Sequence, residues 1–544
     1  MYLDQIRITG NVGITGPVSV TGTVSIDGIV DISGNVGING VVDTVVLNTV
    51  DISGNVGING PVDISGNVGI DGIVDISGNV RIIGTVSVDS LPDVNIATGS
   101  VVGVTGVVDV SGSVVVAGGT VDITSASNSD AFGRLRVSNP YTLFEFTSIL
   151  GNQPDIIDEE TYGSGATTAI SGSSYIAMTV NGAGYAIRQN HEYIIYQPGK
   201  SKLVYMSGVL QDPNGANPAG VTTRIGSFDA SMGFYIESDG GVISVVKHNS
   251  TYERAYRLAS EVPTPPITIP PTPPSPVWLD PLNGTGPSGL SLEFNKAQIF
   301  VFDFEWLGVG QVRCGIVVGG KTIYYYTFTH TNALTMPYIP MAKLPLRYEI
   351  RGTSGSAQNE MRMICGTVLS EGGFTPLDRT LHASNYMQPL GISVATGAAS
   401  LTPIFALKLR PDFPHNRVTV KLKAVDIFNK GGNNAYGSWA VLLNPTFNGA
   451  TLTTYDTYRS SVQVWKQSAT PSSSVTVSGD SIIYSGFYSS RDSKTFSTTA
   501  DELVASKSIT TGLSGNSDVV VLCANNFGTT AAELYYFFTW IEYI

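Results

Sequence analysis

The densest group of residues that could perform chemistry is a short run of carboxylates. The segment PDIIDEE contains Asp155, Asp158, Glu159 and Glu160. Two carboxylates at a suitable separation can hydrolyse a glycosidic bond, and several carboxylate oxygens together can bind Ca²⁺. A solvated acidic loop has the same composition, because charged side chains favour the surface. The sequence favours the loop, and a glycan-cleaving site with carboxylates far apart in the chain stays as an alternative.

Histidine and cysteine, the other common catalytic and metal-binding residues, are few and scattered. No cysteine lies in a CxxC motif or at a Cys/His ligand spacing, so a zinc site is not expected and buried thiols are. Glycine-rich segments such as GVGQV lack the context of a phosphate-binding loop. We therefore predict no catalytic residue, no metal site and no cofactor. The residues concerned are His191, His248, His330, His382 and His415, with Cys314, Cys365 and Cys523.

The elements that would position any site begin with a six-residue repeat in the first 120 residues. Units of the form Val-x-Ile-x-Gly follow one another; the phase breaks at 41–49, where Val42 and Val50 are eight residues apart instead of six, and the pattern is weaker at 86–105 before it returns at Val108. Alternation of apolar and polar residues predicts strands with one face inside. The glycine of each unit predicts a corner, because glycine accepts a positive φ. The predicted inward-facing residues include Val12, Ile14, Val30, Ile32, Val62, Ile64, Val74 and Ile76, and the predicted corner glycines include Gly34, Gly54, Gly66 and Gly78.

A short fixed period of strands and corners predicts a β-helix, and two windings fit. One chain can coil on itself with three units per turn, or three chains can wind together as a triple-stranded β-prism. Two aliphatic residues and a glycine per unit, with no aromatic residue between Tyr2 and Phe132, favour the narrow interior of the three-chain prism. At about 4.8 Å per stacked strand, roughly 18 units would give a three-chain shaft of about 80–90 Å, or a single coil of about 30 Å. An acyltransferase built on such a coil is disfavoured, because no histidine precedes His191.

Composition and charge limit the fold classes and the binding partners that the chain can have. The chain of 544 residues has a net charge of −13, 61 Gly, 28 Pro, 25 Tyr and 20 Phe, and only 13% charged residues. This composition is typical of an all-β chain with many turns. Residues 1–124 hold twelve Asp against Arg7 and Arg81, and this negative charge argues against nucleic-acid binding. We recognise neither a signal peptide nor a segment that would insert into a membrane.

Changes of pattern divide the chain into four segments. Residues 1–124 form the predicted shaft, 125–140 a neck, 141–375 a β-sandwich and 376–544 a C-terminal β-sandwich head. Short runs of β-branched and aromatic residues between turns predict strands in both sandwiches. The proline-rich segment 262–281 predicts an extended surface loop, because proline cannot donate to a sheet. The polar loops of the head are the expected place for receptor contact.

One part of the chain resembles a known kind of protein. The phrases are SDAFGRLRVSNPYTLFEF at 129–146, DPLNGTGPSGLSLEFNKAQIFVFDFEWL at 280–307, LPLRYEI at 344–350 and MICGTVLSEGGF at 363–374. They are similar to a module of virion structural proteins of tailed phages, especially marine ones, and of some large DNA viruses. The resemblance implies a virion fibre or spike protein and supplies no functional residues.

The function expected from these observations is attachment of a virus particle to its host. A homotrimer would be anchored through its N-terminus to other virion proteins, and its C-terminal domains would bind a host-cell surface glycan or protein. Three weak sites acting together would bind by avidity. The protein would be located on the virion, with neither nucleic acid nor membrane as a partner. A glycan-depolymerising spike and a non-adhesive capsid or tail protein are the two alternatives.

Overall fold

The structure is a computed structural model of the chain. It describes strand backbones between residues 5 and 87, and residues 129–543 except 132–133, 135, 137–138, 250–251, 263–276, 376–378, 398–400, 473–474, 480, 491–492 and 498–507. The chain divides into two compact units, Met1–Gly119 and Thr120–Ile544. The described elements are β-strands and short 3₁₀-helices, which confirms the predicted all-β class.

The N-terminal unit consists of short strands, most of them three to five residues long. Most begin at the valine of a repeat unit, as the alternation predicts. The strands are β1 (Gln5–Thr9), β2 (Val12–Thr15), β3 (Val18–Thr21), β4 (Thr23–Asp27), β5 (Val30–Ser33), β6 (Val36–Asn39), β7 (Val42–Thr44), β8 (Val50–Ser53), β9 (Val56–Ile58), β10 (Val62–Ser65), β11 (Val68–Ile70), β12 (Val74–Ile76), β13 (Val80–Ile83) and β14 (Val86–Ser87).

Each of the first eleven of these strands pairs in parallel with the strand three places later in the same chain. Val12 of β2 lies opposite Val30 of β5, three repeat units further along. The same pairing continues across the interruption at 41–49, where Val30 lies opposite Val50 of β8. Three sheets result, in the orders β1-β4-β7-β10-β13, β2-β5-β8-β11-β14 and β3-β6-β9-β12. This pairing is a coil of one chain with three repeat units per turn.

The described pairing is that of the single-chain winding, and the three-chain β-prism, which needs two further chains, stays a prediction. A six-residue repeat places Val opposite Val and Ile opposite Ile whether the neighbouring strand comes from the next turn of the same chain or from another chain, so register does not distinguish the two windings. A five-stranded sheet of this coil rises about 20 Å, far less than the roughly 80–90 Å expected of a prism. The same matched register is found at the other predicted inward positions, with Ile14 opposite Ile32, Val62 and Ile64 opposite Val80 and Ile82, and Val74 and Ile76 opposite Val56 and Ile58.

The predicted corner glycines Gly34, Gly54, Gly66 and Gly78 lie outside the described residues. Most of the proline-rich segment, 263–276, lies outside them as well. Both therefore stay predictions.

The segment from 141 to 375 folds into two antiparallel sheets packed face to face. The eight-stranded sheet has the order β17-β18-β29-β20-β25-β26-β27, with β15 also paired to β29, and the seven-stranded sheet has the order β16-β19-β28-β21-β22-β23-β24. The strands are β15 (Tyr141–Thr147), β16 (Ile157–Gly163), β17 (Ala166–Ile170), β18 (Tyr175–Val180), β19 (Gly184–Asn190), β20 (Ser201–Val209), β21 (Val221–Phe228), β22 (Gly233–Asp239), β23 (Val242–His248), β24 (Tyr252–Tyr256), β25 (Gln298–Phe304), β26 (Val312–Val318), β27 (Lys321–Phe328), β28 (Leu346–Gly352) and β29 (Asn359–Glu371), with 3₁₀-helices at Ser148–Leu150 and Ala259–Glu261.

One hydrophobic core fills the space between these two sheets. Alternate residues of the strands face inward, as the period of two requires, and aromatic side chains such as Phe234 and Phe304 meet at 5.4 Å between ring centroids. Trp278, just after the proline-rich segment, is buried and stacks on Tyr325 at 4.1 Å. Because the core contains residues of both sheets, this segment is the sandwich predicted from the sequence.

The segment from 376 to 544 forms a second sandwich with its own core. One six-stranded sheet has the order β30-β43-β33-β40, with β31 paired to β43 and β41 paired to β33, and the other has the order β36-β37-β32-β42-β34-β39; β35 and β38 form a separate pair. The strands are β30 (Arg379–Ser384), β31 (Ile392–Val394), β32 (Thr402–Leu409), β33 (Thr419–Asn429), β34 (Gly437–Leu443), β35 (Thr446–Asn448), β36 (Thr453–Thr454), β37 (Val462–Lys466), β38 (Thr476–Ser478), β39 (Ile482–Tyr488), β40 (Ser493–Ser497), β41 (Ser508–Ile509), β42 (Val519–Asn526) and β43 (Ala532–Tyr543), with a 3₁₀-helix at His415–Arg417.

The two sandwiches contact each other directly within the second compact unit. Arg417 of the second sandwich pairs with the buried Asp229 of the first at 2.9 Å. The Thr419 hydroxyl donates to the Tyr193 carbonyl at 2.9 Å, and Tyr543 packs near Phe374 with 6.1 Å between ring centroids. Because these contacts combine buried charge, backbone hydrogen bonds and apolar packing, they hold the second sandwich in a defined orientation on the first.

Candidate functional site

Three of the four carboxylates of the acidic run lie on a strand, which corrects the prediction of a solvated loop, while Asp155 is exposed in the turn before it. Asp158, Glu159 and Glu160 belong to β16, so successive carboxylates point to opposite faces of the sheet. Glu159 pairs with Arg188, Glu160 accepts a tyrosine hydroxyl at 2.5 Å, and Asp158 accepts the Leu513 backbone N–H of the second sandwich at 3.0 Å. The three carboxylates of β16 thus each have a separate protein partner, and they stabilise strand and domain contacts.

His191 Nδ1 lies 3.2 Å from Asp158 Oδ1, whereas His330 and two of the cysteines are held uncharged by their surroundings. Burial and the neighbouring Lys247 ammonium lower the pKa of His330 to about 4, and its Nε2 lies 3.0 Å from Lys247 Nζ. Burial raises the pKa of the Cys314 and Cys523 thiols, so both are protonated and unreactive. Cys365 is only half-buried, which corrects the prediction of three buried thiols. Among the described residues, no three His, Cys, Asp or Glu side chains are grouped to hold a metal ion.

The described residues of the SDAFGRLRV segment attach the neck to the eight-stranded sheet. Asp130 and Arg134 form an ion pair at 2.6 Å, and the Ala131 backbone N–H donates to the Ser201 hydroxyl at 3.2 Å. Arg136 reaches further and contacts two carboxylates of the sheet. The described residues of this segment therefore attach the neck to the eight-stranded sheet.

We call the group formed by Asp303, Arg136, Arg313, Tyr324 and Glu371 the Asp303 cluster. The Asp303 carboxylate is fully buried and accepts Arg313 Nη2 at 2.5 Å and the Tyr324 hydroxyl at 2.8 Å. Glu371 shares Arg136 with Asp303 and accepts its Nη1 at 2.7 Å. Burial raises the pKa of Glu371 to about 7, against the opposing effect of Arg136 and with a further increase from Asp303. Glu371 therefore changes its charge near neutral pH in the folded protein.

A groove of about 410 Å³ lies along the edge of the second sandwich. It follows the hairpin of β36 and β37, and β36 is the terminal strand of its sheet. We call it the hairpin groove. It is lined by Thr451, Thr453, Thr454, Tyr455, Val464, Trp465 and Lys466.

The lining of the hairpin groove combines free hydroxyls with aromatic rings. Thr451, Thr453 and Thr454 are exposed, and in the described part of the chain none of their hydroxyls has a protein partner. A threonine hydroxyl can both donate and accept a hydrogen bond. Trp465 and Tyr455 are half-buried. Tyr455 shares a face of the hairpin with Thr453, and Trp465 lies on the opposite face with Thr454, because successive strand residues alternate. A surface of this kind can bind a ligand that has apolar faces and many hydroxyl groups.

Both aromatic rings are fixed by contacts with the body of the sandwich. Trp465 packs edge-on against Phe447 of β35 at 5.4 Å between ring centroids. Tyr455 packs edge-on against the buried Trp540 at 5.1 Å, and its hydroxyl donates to the His382 carbonyl. Because the rings are already ordered, ligand binding would not need to immobilise them.

The sequence analysis named no residue of this groove. It expected contact in the polar loops of the head, whereas Thr453 and Thr454 lie on the strand β36. Trp465 and Lys466 gave no signal of a site, because they lie on a strand whose alternation is also typical of ordinary core packing. The groove exists because β36 is an edge strand. Which strand lies at the edge depends on how distant strands pair, and this pairing cannot be read from the local sequence.

Comparison with known proteins gives fold-level likeness only. No family profile and no curated protein matches the chain. Similar solved structures include the binding domain of botulinum neurotoxin DC in complex with SialylT, at 11% identity over 39% of this chain and 42% of that chain, with a TM-score of 0.23. Peanut lectin with a nine-residue peptide is 13% identical over 43% and 98%, with a TM-score of 0.24. An endo-1,3-β-glucanase from Streptomyces sioyaensis is 14% identical over 43% and 97%, with a TM-score of 0.27.

This chain spans about two fifths of the botulinum neurotoxin chain, and scores at this level assign neither a family nor a function. What the structure itself establishes is a chain of antiparallel β-sandwiches preceded by short parallel strands. In the described residues, no helix is long and apolar enough to cross a membrane.

Proposed function

We propose that this protein is a virion attachment protein whose second sandwich binds a host-surface glycan in the hairpin groove. The observation that carries the proposal is the groove itself, where the exposed Thr451 and Thr453 lie on the same face of the hairpin as the ordered Tyr455 ring and Lys466. Sugars present hydroxyl groups and apolar C–H faces, and such a lining complements both. Location on a virion is supported by the resemblance of residues 129–374 to virion structural proteins.

A homotrimer is part of the same proposal. The groove is shallow and lies at a sheet edge, so a single site would bind weakly, and three linked sites would compensate by avidity. The mass of the intact protein in solution tests this, since a trimer has three times the 57.4 kDa of one chain. Antibodies against the second sandwich that label intact particles would support exposure on the virion, and unlabelled particles would favour an internal structural protein.

Glycan binding is tested by removing hydroxyls without changing shape. The double substitution Thr453→Val and Thr454→Val keeps β-branched residues on β36 and removes two hydrogen-bonding groups. We expect at least a fivefold loss of binding to purified host surface glycans, since each lost neutral hydrogen bond costs about 0.5–1.5 kcal/mol. Thr476→Val, an exposed threonine of β38 in the same sandwich, is the matched control and should bind as the wild type does.

An unchanged affinity of the double variant would contradict the proposal for this groove. The same incubation tests the depolymerase alternative, because a glycan-cleaving spike would release oligosaccharides during it. We expect none to be released.

A further inference from the structure

We infer that the glycan of the hairpin groove is anionic, carries carboxylate groups, and lies along the β36–β37 hairpin from Lys466 to Arg459. This inference rests on the proposed function, because it specifies the ligand class of the same groove. The evidence for it is that the cationic side chains at the two ends of the hairpin, Lys466 and Arg459, have no carboxylate partner among the described residues.

Lys466 is the charged residue in the lining of the groove. Its side chain is exposed, and its Nζ lies 5.8 Å from the centroid of the Tyr455 ring. No carboxylate of the described chain pairs with it. A cation beside an aromatic face keeps its charge available and gains some stabilisation from the ring. The groove therefore places a free ammonium next to the hydroxyls of Thr451 and Thr453, where a sugar carboxylate could accept from both kinds of donor.

The other end of the hairpin also carries guanidinium groups without carboxylate partners. Arg459 lies in the turn between β36 and β37, is exposed, and accepts Arg379 Nη1 on its backbone carbonyl at 3.1 Å. Neither Arg379 nor Arg459 is ion-paired within the described residues. Arg410 is close by but is neutralised by Asp412 at 2.9 Å.

The acidic groups near the turn are occupied by the protein. Asp456 accepts the backbone N–H groups of Tyr458 and Arg459 at 2.9 and 3.0 Å, which shapes the turn. Glu542 is fully buried beneath the hairpin and accepts Ser460 and Ser461 at 2.6 and 2.7 Å. Neither carboxylate is directed to neutralise Arg459 or Lys466, so the outer edge of the hairpin is locally cationic on a chain with a net charge of −13.

The geometry favours an extended polymer over a small ion. Arg459 lies in the turn and Lys466 at the far end of β37. A strand rises about 3.4 Å per residue, so the two ends are roughly 15–20 Å apart once the turn is allowed for. Thr453 and Tyr455 lie between them along one face of the hairpin. An oligosaccharide with repeating carboxylates would contact both cationic ends and the groove at once.

The experiment measures binding of the full chain to three immobilised polysaccharides: polygalacturonate, a sulfated galactan and neutral dextran. We expect polygalacturonate to bind most tightly and its affinity to fall as salt is raised. Lys466→Gln and Arg459→Gln should each weaken polygalacturonate binding by about tenfold, as expected for loss of a charge-assisted hydrogen bond, and should reduce the salt dependence. Lys321→Gln, which removes an exposed lysine of the first sandwich, is the matched control and should change nothing.

The outcomes separate the inference from the function on which it rests. Dextran bound as tightly as polygalacturonate, or Lys466→Gln without effect while the Thr453/Thr454 double variant loses binding, would overturn the anionic ligand and leave the groove as a glycan site. Binding to the sulfated galactan without binding to polygalacturonate would overturn the carboxylate assignment. Unchanged glycan binding in every groove variant would overturn the proposed function itself.

Discussion

Glu371 should make the first sandwich less stable as the pH rises through neutrality. Its carboxyl is buried in the Asp303 cluster, shares Arg136 with Asp303, and leaves Oε2 without a hydrogen-bond partner among the described residues. A pKa of about 7 in the folded protein, against an ordinary value of 4.5, corresponds to about 3 kcal/mol. Because the folded-state pKa is raised, this stabilisation is complete below pH 4.5 and is lost as the pH rises through 7.

The substitution Glu371→Gln tests this reasoning, because glutamine keeps an acceptor for Arg136 and cannot ionise. At pH 5 the variant and the wild type should be similar, and at pH 8.5 the variant should be more stable by up to about 3 kcal/mol. Hydrogen exchange of peptides from β20 and β29, corrected for the intrinsic effect of pH, measures the local free energy of opening.

Glu360→Gln on the same strand is the control. Glu360 is 29% exposed beside Arg362 at 2.6 Å, and an exposed pair of this kind contributes about 0–1 kcal/mol. If the wild type and Glu371→Gln show parallel pH profiles between 5 and 8.5, the raised pKa and the physical account of the Asp303 cluster are both refuted.

Three further predictions concern the same sandwich. The pKa of the buried Glu349 is lowered to about 2 by Arg347, Arg224 and Arg351, despite its burial. About 3 kcal/mol of stability should therefore be present above pH 4.5 and lost as the pH falls through 2. In urea titrations, Glu349→Gln should be less stable than the wild type at pH 7 and should show a weaker loss of stability at acid pH. His330 is held neutral with a pKa of about 4, so its contribution should be lost as the pH falls from 6.5 through 4, and nuclear magnetic resonance titration of the imidazole should give a midpoint well below 6. Gly366→Ala would place a Cβ 2.5 Å from the Phe146 ring and 2.9 Å from Leu346, which should cost about 1–3 kcal/mol, whereas Gly215→Ala, with open space around it, should leave the thermal midpoint unchanged.

Several parts of the fold follow from local pattern alone. Alternation of Val and Ile with polar residues makes a strand of each repeat unit, and β-branched and aromatic runs between turns make the strands of both sandwiches. These properties depend on residues within a few positions of each other. The positions of the strands can therefore be predicted from the sequence alone.

The winding of the repeat was decided by tertiary structure. Every unit offers the same Val-x-Ile edge, so a strand is equally matched to the strand one turn later in its own chain and to a strand of another chain. The local pattern contains no feature that selects between them. The described strands pair within one chain, and the three-chain winding stays a prediction.

The site residues and their electrostatics were likewise decided by long-range contacts. Arg136 meets Asp303 and Glu371 from 167 and 235 residues away, so neither the burial of Glu371 nor its shared partner is visible in the sequence. Lys466 and Thr453 become groove residues because β36 ends its sheet. The sequence by itself determined which segments are strands and which faces are apolar, and tertiary structure decided the neighbours of each strand, because burial, charge pairing and edge position arise only when distant segments meet.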